Sequence, residues 1–424
     1  MNEVSEAVRI FYDRYPYPRP VDSLDNYRAR WQDPERCRAD YHLYWPDRRY
    51  REEYSVLVAG CGTSQAARHA LRSPRARVTG IDLSETSLRC TNELKRKYNL
   101  SNLQVRQLPV ERAGELGASF DQIVCTGVLH HLDDPDAGLR ALRGVLKRDG
   151  AMQIMVYAPY GRAGICMLQE FARRLGIQAT DEDIRGLIAA LHGLPAGHPL
   201  ENLLRNAPDF RHEASLADAL LHPRDRAYSV PQLFDFLKAG ALTFGRWIKQ
   251  ATYSARCGVL VTIPQADRLA GLPLAEQYAA AELFRGTMVR HSMIVYRSDR
   301  AASEPRIGFD GSAWPGYVPV RMPDTICVEE RLPAGAAAVL INQAHTYRDL
   351  ILAIDAAEKR WFDAIDGKRT IAEIAGEAQL EAARGFFERL WWYDQVVFDT
   401  SETGGRGALS RAAETTQDGY WTRE

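Results

Sequence analysis

The sequence predicts an α/β fold, a doubly wound sheet with helices on both faces. Three stretches carry that reading. "VLVAGCGTSQAARHAL" (56–71) runs from an apolar segment through small residues into helix formers. "RVTGIDLS" (77–84) leads from a second apolar segment to a helix start. "FDQIVCTGVLHHLDDP" (120–135) does so again. Strands alternating with helices build a mostly parallel sheet, whose ligands bind outside the carboxyl ends of the strands.

Taken in order, Val56, Leu57, Val58 and Ala59 read as a strand buried on both faces. Gly60 and Gly62 follow. Glycine there permits unusual dihedrals and bares the backbone to a ligand, and the helix expected from Gln65 offers unpaired N–H groups at its start. A plain turn would use the same residues. Gln65 stands at the third glycine position, so the G-x-G-x-x-G dinucleotide pattern is not met. The second strand ends at Asp82, placed to accept hydrogen bonds from two ribose hydroxyls or to cap the next helix. Ser84 is the better cap, which leaves Asp82 free. Phe120 to Cys125 is a further buried strand. Asp134 then caps a helix with Pro135 at its first position, and Leu139, Leu142 and Leu146 lie along one face. "KRDGAMQIMVYAPYG" predicts a turn at Asp149-Gly150 and a fifth strand ending near Tyr157.

The order VAGCGTS, GIDLS, FDQIVCTGVLHHLDDP, LKRDGAMQIMVY resembles class I S-adenosylmethionine-dependent methyltransferases. The resemblance implies a seven-stranded, Rossmann-like sheet closed by an antiparallel pair, here "TFGRWIKQ" and "HSMIVYRSD". It implies S-adenosyl-L-methionine as cofactor, held by Ala59, Gly60, Cys61, Gly62, Asp82, Leu83, Val110, Glu111, Thr126 and Gly127. Asp82 would bind the ribose, and the residues after the third strand would flank the adenine. Two positions depart from the family pattern. Pro109 stands where an Asp often meets the adenine amino group, and Val58 stands where an acidic residue is usual.

The 424 residues suggest two or three domains. Lys plus Arg number 54 against 55 Asp plus Glu, a net charge of −1, so no overall basic excess points to nucleic acid. The seven cysteines are scattered without C-x-x-C pairs, which argues against a disulfide framework or structural zinc; no metal site is expected. No apolar run reaches the length of a membrane span, and the N-terminus has no signal-peptide character. These features describe a cytoplasmic enzyme with neither a membrane nor a nucleic-acid partner.

Residues 1–53 are expected to form an aromatic arm over the cleft, on the strength of "FYDRYPYPRP" (11–20) and "YHLYWP" (41–46). The core is expected over 54–300, with insertions at about 161–229 and 251–290. The first insertion predicts a helix that buries Ile165, Leu168, Ala172 and Leu175, then one capped by Thr180 or Asp181. "LLHPRDRAYSVP" (220–231) reads as a charged, solvated loop. A linker (301–316) leads to a unit over 317–400, and 401–424 reads as disordered. In that unit "DLILAIDAAEKRWFDAIDGKRTIAEIAGEAQLEAARGFFERLWWYDQVVFDT" predicts helix, turn, short helix, longer helix and strand. It weakly resembles the peptide-recognition winged-helix family. Phe386, Phe387, Leu390 and Trp391 crowd six positions of the last helix, a surplus that suggests a homodimer face.

Transfer to an in-line acceptor needs alignment and exclusion of water, and sometimes a base. His130 and His131 follow the fourth strand, and Tyr17 lies in the arm; these three are the candidate catalytic residues. The HHL-type motif, the arm and the balanced charge favour a small-molecule acceptor. The C-terminal unit leaves a peptide or protein acceptor as the alternative, and a non-catalytic cofactor-binding scaffold is the third reading. No N/D-P-P-Y/F motif of amino-group methylation occurs.

Overall fold

A computed structural model describes residues 3–201, 204, 212–300 and 307–402. The chain forms two compact units. One comprises the described residues within 1–32, 52–248 and 272–302; the other comprises those within 33–51, 249–271 and 303–424. Residues 33–51, expected in the arm, and 251–271, expected in the second core insertion, thus group with the C-terminal unit. The segment read as a disordered tail lies, from residue 403, outside the described residues.

The first unit is built on seven strands: β1 (Ser55–Ala59), β2 (Arg77–Asp82), β3 (Leu103–Gln107), β4 (Phe120–Thr126), β5 (Leu146–Tyr157), β6 (Leu242–Trp247) and β7 (Arg290–Arg297). Their order is β3-β2-β1-β4-β5-β7-β6. The first five run parallel. β7 is antiparallel to both β5 and β6. The doubly wound sheet and its final antiparallel pair are as the sequence predicts. The order reverses between β1 and β4, where such sheets open a crevice at their carboxyl ends. All five residues of β1 are buried, and Ala66, Ala67, Ala70 and Leu71 of the next helix pack with Val56, Val58 and Val78.

Side-chain caps fix where the helices begin. Ser84 accepts from Ser87 N, Asp134 from Ala137 N with Pro135 following, and Thr180 from Asp183 N. Ser229 forms a capping box with Gln232 ahead of Pro231. Such caps pair helix N–H groups that would otherwise lack partners. Two local expectations fail. Asp149-Gly150 is not a turn but part of β5, which passes from Phe120↔Leu146 to Gln122↔Ala151 through an irregular register. Leu175 falls just past the helix Ala163–Arg174 and is 62 % exposed, while Ile165, Leu168 and Ala172 are buried.

In the second unit β8 (Val318–Arg321) pairs antiparallel with β12 (Val396–Asp399). β9 (Thr325–Val328), β10 (Ala338–Asn342) and β11 (Ile351–Ile354) form a separate antiparallel sheet. The helices Ala356–Asp363, Ile371–Ala375 and Leu380–Trp392 then precede β12. "ILAI", expected within the first helix, is β11; the helix starts after Asp355, whose carboxylate accepts from Ala357 N and Glu358 N. Within "DGKRT", Asp366 accepts from Lys368 N and Arg369 N.

The surplus expected on Leu380–Trp392 is covered inside this unit. Phe386, Phe387 and Leu390 are at most 1 % exposed. Phe386 meets Trp361 and Trp391 meets Phe398. Gln250 Nε2 donates to Trp391 O, and the Cys257 thiol to Trp392 O. The apolar face that suggested a homodimer is therefore occupied within one chain.

Candidate functional site

The loop after β1 is held by backbone geometry. Gly60 N and Cys61 N both donate to Ile81 O, at 2.8 and 2.9 Å, which ties the loop to β2. Gly60 (φ +69°) and Gly62 (φ +53°) occupy the left-handed region, and a Cβ on Gly60 would lie 2.2 Å from Val128 Cγ2. Only glycine meets both demands without strain.

Asp82, at the end of β2, organises this loop and the next helix together. Its Oδ2 accepts from Gly62 N at 2.8 Å and its Oδ1 from Ser84 N at 2.9 Å. A carboxylate has about four lone-pair directions, so acceptor capacity remains for a ligand. Burial pushes this carboxyl above its usual range, opposed by the N–H groups of Ser84, Gly62 and Leu83. Leu108 N donates to Asp82 O and Gln107 Nε2 to Leu83 O, which joins the end of β3 to the same edge.

The remaining expected residues follow around the edge. Ala59 closes β1. Val110 and Glu111 open the turn Val110–Leu116; Val110 is 5 % exposed, and Glu111 Oε2 is buried with no hydrogen-bond partner. Thr126 ends β4 and accepts from Gln65 Nε2 at 2.6 Å. Gly127 (φ +78°) donates to Met155 O. An open cavity of about 500 Å³, lined by Glu111, Gly117, Ser119 and Val145 among others, lies by the amino ends of β4 and β5.

The arm lies against the glycine loop. Pro18 Cδ and Tyr17 O approach within 2.9 and 3.1 Å of the place a Cβ on Gly62 would take. Thr63 Oγ1 donates to Pro18 O at 2.7 Å. Asp13, in the helix Glu3–Arg14, accepts from Ser84 Oγ and Thr86 N. Tyr17 therefore meets the loop through its backbone.

Beyond β4, His130 and His131 sit in the turn Leu129–His131, both buried. Neither ring nitrogen of His130 has a hydrogen-bond partner, and the ring centroid lies 4.0 Å from that of Tyr157. Burial pushes His130 well below the usual imidazole range, so the ring is neutral at pH 7. His131 donates from Nδ1 to Arg224 O at 2.6 Å, and its ring lies 3.9 Å from that of His222. Asp218, from the helix Glu213–Leu221, accepts from Tyr12 OH at 2.9 Å and Tyr157 OH at 3.4 Å. Arg162 pairs with Asp225 while its guanidinium stands 3.6 Å over the Tyr157 ring.

The segment 220–231 is therefore no solvated loop. His222 and Tyr228 are buried, and the Asp225 carboxylate is held by the buried Arg162. Sequence reasoning missed Asp218 and Arg162. Asp218 left a signal, an acid inside the apolar run "SLADALL" whose positions 215–220 are all buried. Arg162, next to Gly161 at the head of a helix, left none.

Comparison with known proteins places the fold. Residues 57–152 match the family model of a methyltransferase domain. The chain has the class I S-adenosylmethionine-dependent methyltransferase fold, shared with PKMT2 from Rickettsia typhi at a TM-score of 0.61 and 15 % identity, over 87 % of this chain and 75 % of that one. The complex of PKMT2 with AdoHcy gives 0.59. In sequence, an uncharacterised protein of Synechococcus sp. is 32 % identical over 255 residues, 57 % of this chain and 60 % of that protein. The ubiquinone biosynthesis O-methyltransferase of Bordetella avium is 32 % identical over 142 residues, 31 % of this chain and 57 % of that protein. The chain thus spans under two thirds of each of these curated relatives. Among the described residues, no helix is long and apolar enough to cross a membrane.

Proposed function

We propose that the chain is an S-adenosylmethionine-dependent methyltransferase with a small-molecule acceptor. The observation that carries the reading is Asp82, fixed by two backbone N–H groups beside a left-handed glycine loop, with acceptor capacity to spare. Gly60 and Gly62 fit the methionine portion, Asp82 the ribose, and Leu83, Val110 and Glu111 the adenine, with Ala59, Cys61, Thr126 and Gly127 completing the wall. The unpartnered Glu111 Oε2 is an acceptor for the adenine amino group, the role that Pro109 cannot fill. The cofactor supplies a methyl group on a positively charged sulfur, and alignment then matters more than activation.

The chain's own residues enclose the acceptor. Tyr12 and the Tyr17-Pro18 segment cover the cleft and exclude water. His130, held neutral by burial, can take a proton from the acceptor. His131 offers only Nε2 for that purpose, because its Nδ1–H is committed to Arg224 O. The relative named as an O-methyltransferase of ubiquinone biosynthesis supports an oxygen on a small molecule. A peptide acceptor bound through the C-terminal unit is the second reading, favoured by the helix-turn-helix order that precedes β12. Calorimetric titration of the full chain with S-adenosylhomocysteine tests the first step. Absence of binding at millimolar ligand would overturn the reading, and unchanged small-molecule turnover after removal of residues 317–424 would exclude the peptide alternative.

A further inference from the structure

His131, from the turn after β4, converges with Asp218 and His222, which lie four residues apart at the end of the helix Glu213–Leu221. One ring nitrogen of each histidine and a carboxylate oxygen of Asp218 lie within 4.8 Å of one another. The carbonyl of Arg224 faces Nδ1 of both rings, at 2.6 Å for His131 and closer for His222. A carbonyl can only accept, so His131 carries its proton on Nδ1. His222 Nδ1 also lies 3.1 Å from Arg224 N, and the shorter carbonyl contact selects the same tautomer. Both Nε2 lone pairs are then left over. A backbone carbonyl that takes the distal N–H of a ring is how proteins orient histidines as metal ligands.

Two further observations point to a missing partner. His222 Nε2 is buried and has no hydrogen-bond partner. Asp218 is 3 % exposed, and among the described residues it receives only tyrosine hydroxyls, while the nearby Arg162 is committed to Asp225. A buried carboxylate without a cation is costly, and so is a buried ring nitrogen without a partner. One cation would relieve both.

We propose that His131, His222 and Asp218 bind a single divalent transition-metal ion of the Zn²⁺ or Fe²⁺ class. Two neutral imidazoles and one carboxylate suit such borderline ions better than Mg²⁺ or Ca²⁺, which prefer all-oxygen shells. Donors bonded at about 2.1 Å sit roughly 3 Å apart, so side-chain shifts of about 1 Å close the site. Three protein ligands leave coordination positions open, and these suit an oxygen of the acceptor, hydroxyl or carboxylate. The metal site stands on its own geometry; its use for an acceptor oxygen rests on the methyltransferase reading.

The test uses the full-length chain, stripped with chelator, and titrates Co²⁺ by visible absorption and Zn²⁺ by calorimetry. The expected result is one equivalent bound at micromolar or tighter affinity, with d–d bands of a nitrogen and oxygen shell. His222→Gln and Asp218→Asn should each weaken binding by at least tenfold, since loss even of a group that only orients a metal ligand costs about 10–100-fold, with melting temperatures near that of the parent. No binding by the stripped parent would overturn the site. So would equal binding by both variants, or a thiolate charge-transfer band in the parent, which places the metal on cysteine and needs no variant to fold. S-adenosylhomocysteine titration in parallel reads the cofactor assignment separately.

Discussion

Replacing Asp82 by Asn separates charge from shape at the proposed ribose site. The carboxylate accepts from Gly62 N at 2.8 Å and Ser84 N at 2.9 Å. An asparagine amide keeps one accepting oxygen and turns an NH₂ toward the other donor. One backbone N–H, most directly that of the glycine loop, then faces a like donor. A hydrogen bond to a charged group contributes about 1.5–3 kcal/mol. Loss of one such bond to the ribose and weakening of a second predicts a deficit of about 3 kcal/mol in cofactor binding, or roughly a hundredfold in Kd. Calorimetry with S-adenosylhomocysteine reads this directly, and a melting curve establishes that the variant is folded. A folded Asp82→Asn protein with Kd within about threefold of the parent would refute the assignment, because a threefold change is under 1 kcal/mol.

Gly60→Ala should lower stability by about 1–3 kcal/mol, from a positive φ and a Cβ directed into Val128; denaturant unfolding measures it. Removal of residues 1–20 should abolish turnover while the sheet still folds, so normal activity in the truncated protein would show that the arm only packs. Tyr12→Phe removes the hydroxyl donated to Asp218; it should leave S-adenosylhomocysteine affinity within about twofold and alter turnover, a split that a purely structural tyrosine would not give. Burial pushes His69 down to about 4. Its protonation therefore favours the unfolded chain: the stability tied to its neutral form is complete above about pH 6.5 and is lost toward pH 4, by at most about 3 kcal/mol. The parent should accordingly lose more stability than His69→Gln as pH falls from 7 to 4.5, and parallel denaturation curves would exclude the effect.

The sheet was legible because its information is local. β1, β2 and β4 carry short apolar runs, and caps such as Ser84, Asp134 and Thr180 mark helix starts through bonds reaching only three residues ahead. The misreadings arose where distant partners decide. "ILAI" has no more strand character than many helical segments; it is a strand because Ala338–Asn342 pairs with it. Phe386 and Trp391 looked unpartnered because their ring partners, Trp361 and Phe398, lie on other elements, and the backbone of the same helix is bonded by Gln250, more than a hundred positions away and grouped with it only in space.

The same distinction runs through the candidate site itself. Its cofactor side is built of contiguous motifs and mostly of backbone: three left-handed glycines, three N–H groups and one carboxylate at a strand end. Its acceptor side is built of side chains from elements far apart in sequence. Tyr12 comes from the arm, His131 from the turn after β4, Tyr157 from the end of β5, Arg162 from the head of the helix Ala163–Arg174, Asp218 from Glu213–Leu221 and His222 from the segment that follows. Backbone geometry tolerates few substitutions, whereas a side-chain constellation can be rebuilt by altering the inserted helices while the sheet stays as it is. Substitutions in 161–229 should therefore alter the acceptor and the metal affinity with little effect on cofactor binding. Changes at Gly60, Gly62 or Asp82 should remove the cofactor first and, with it, turnover of every acceptor.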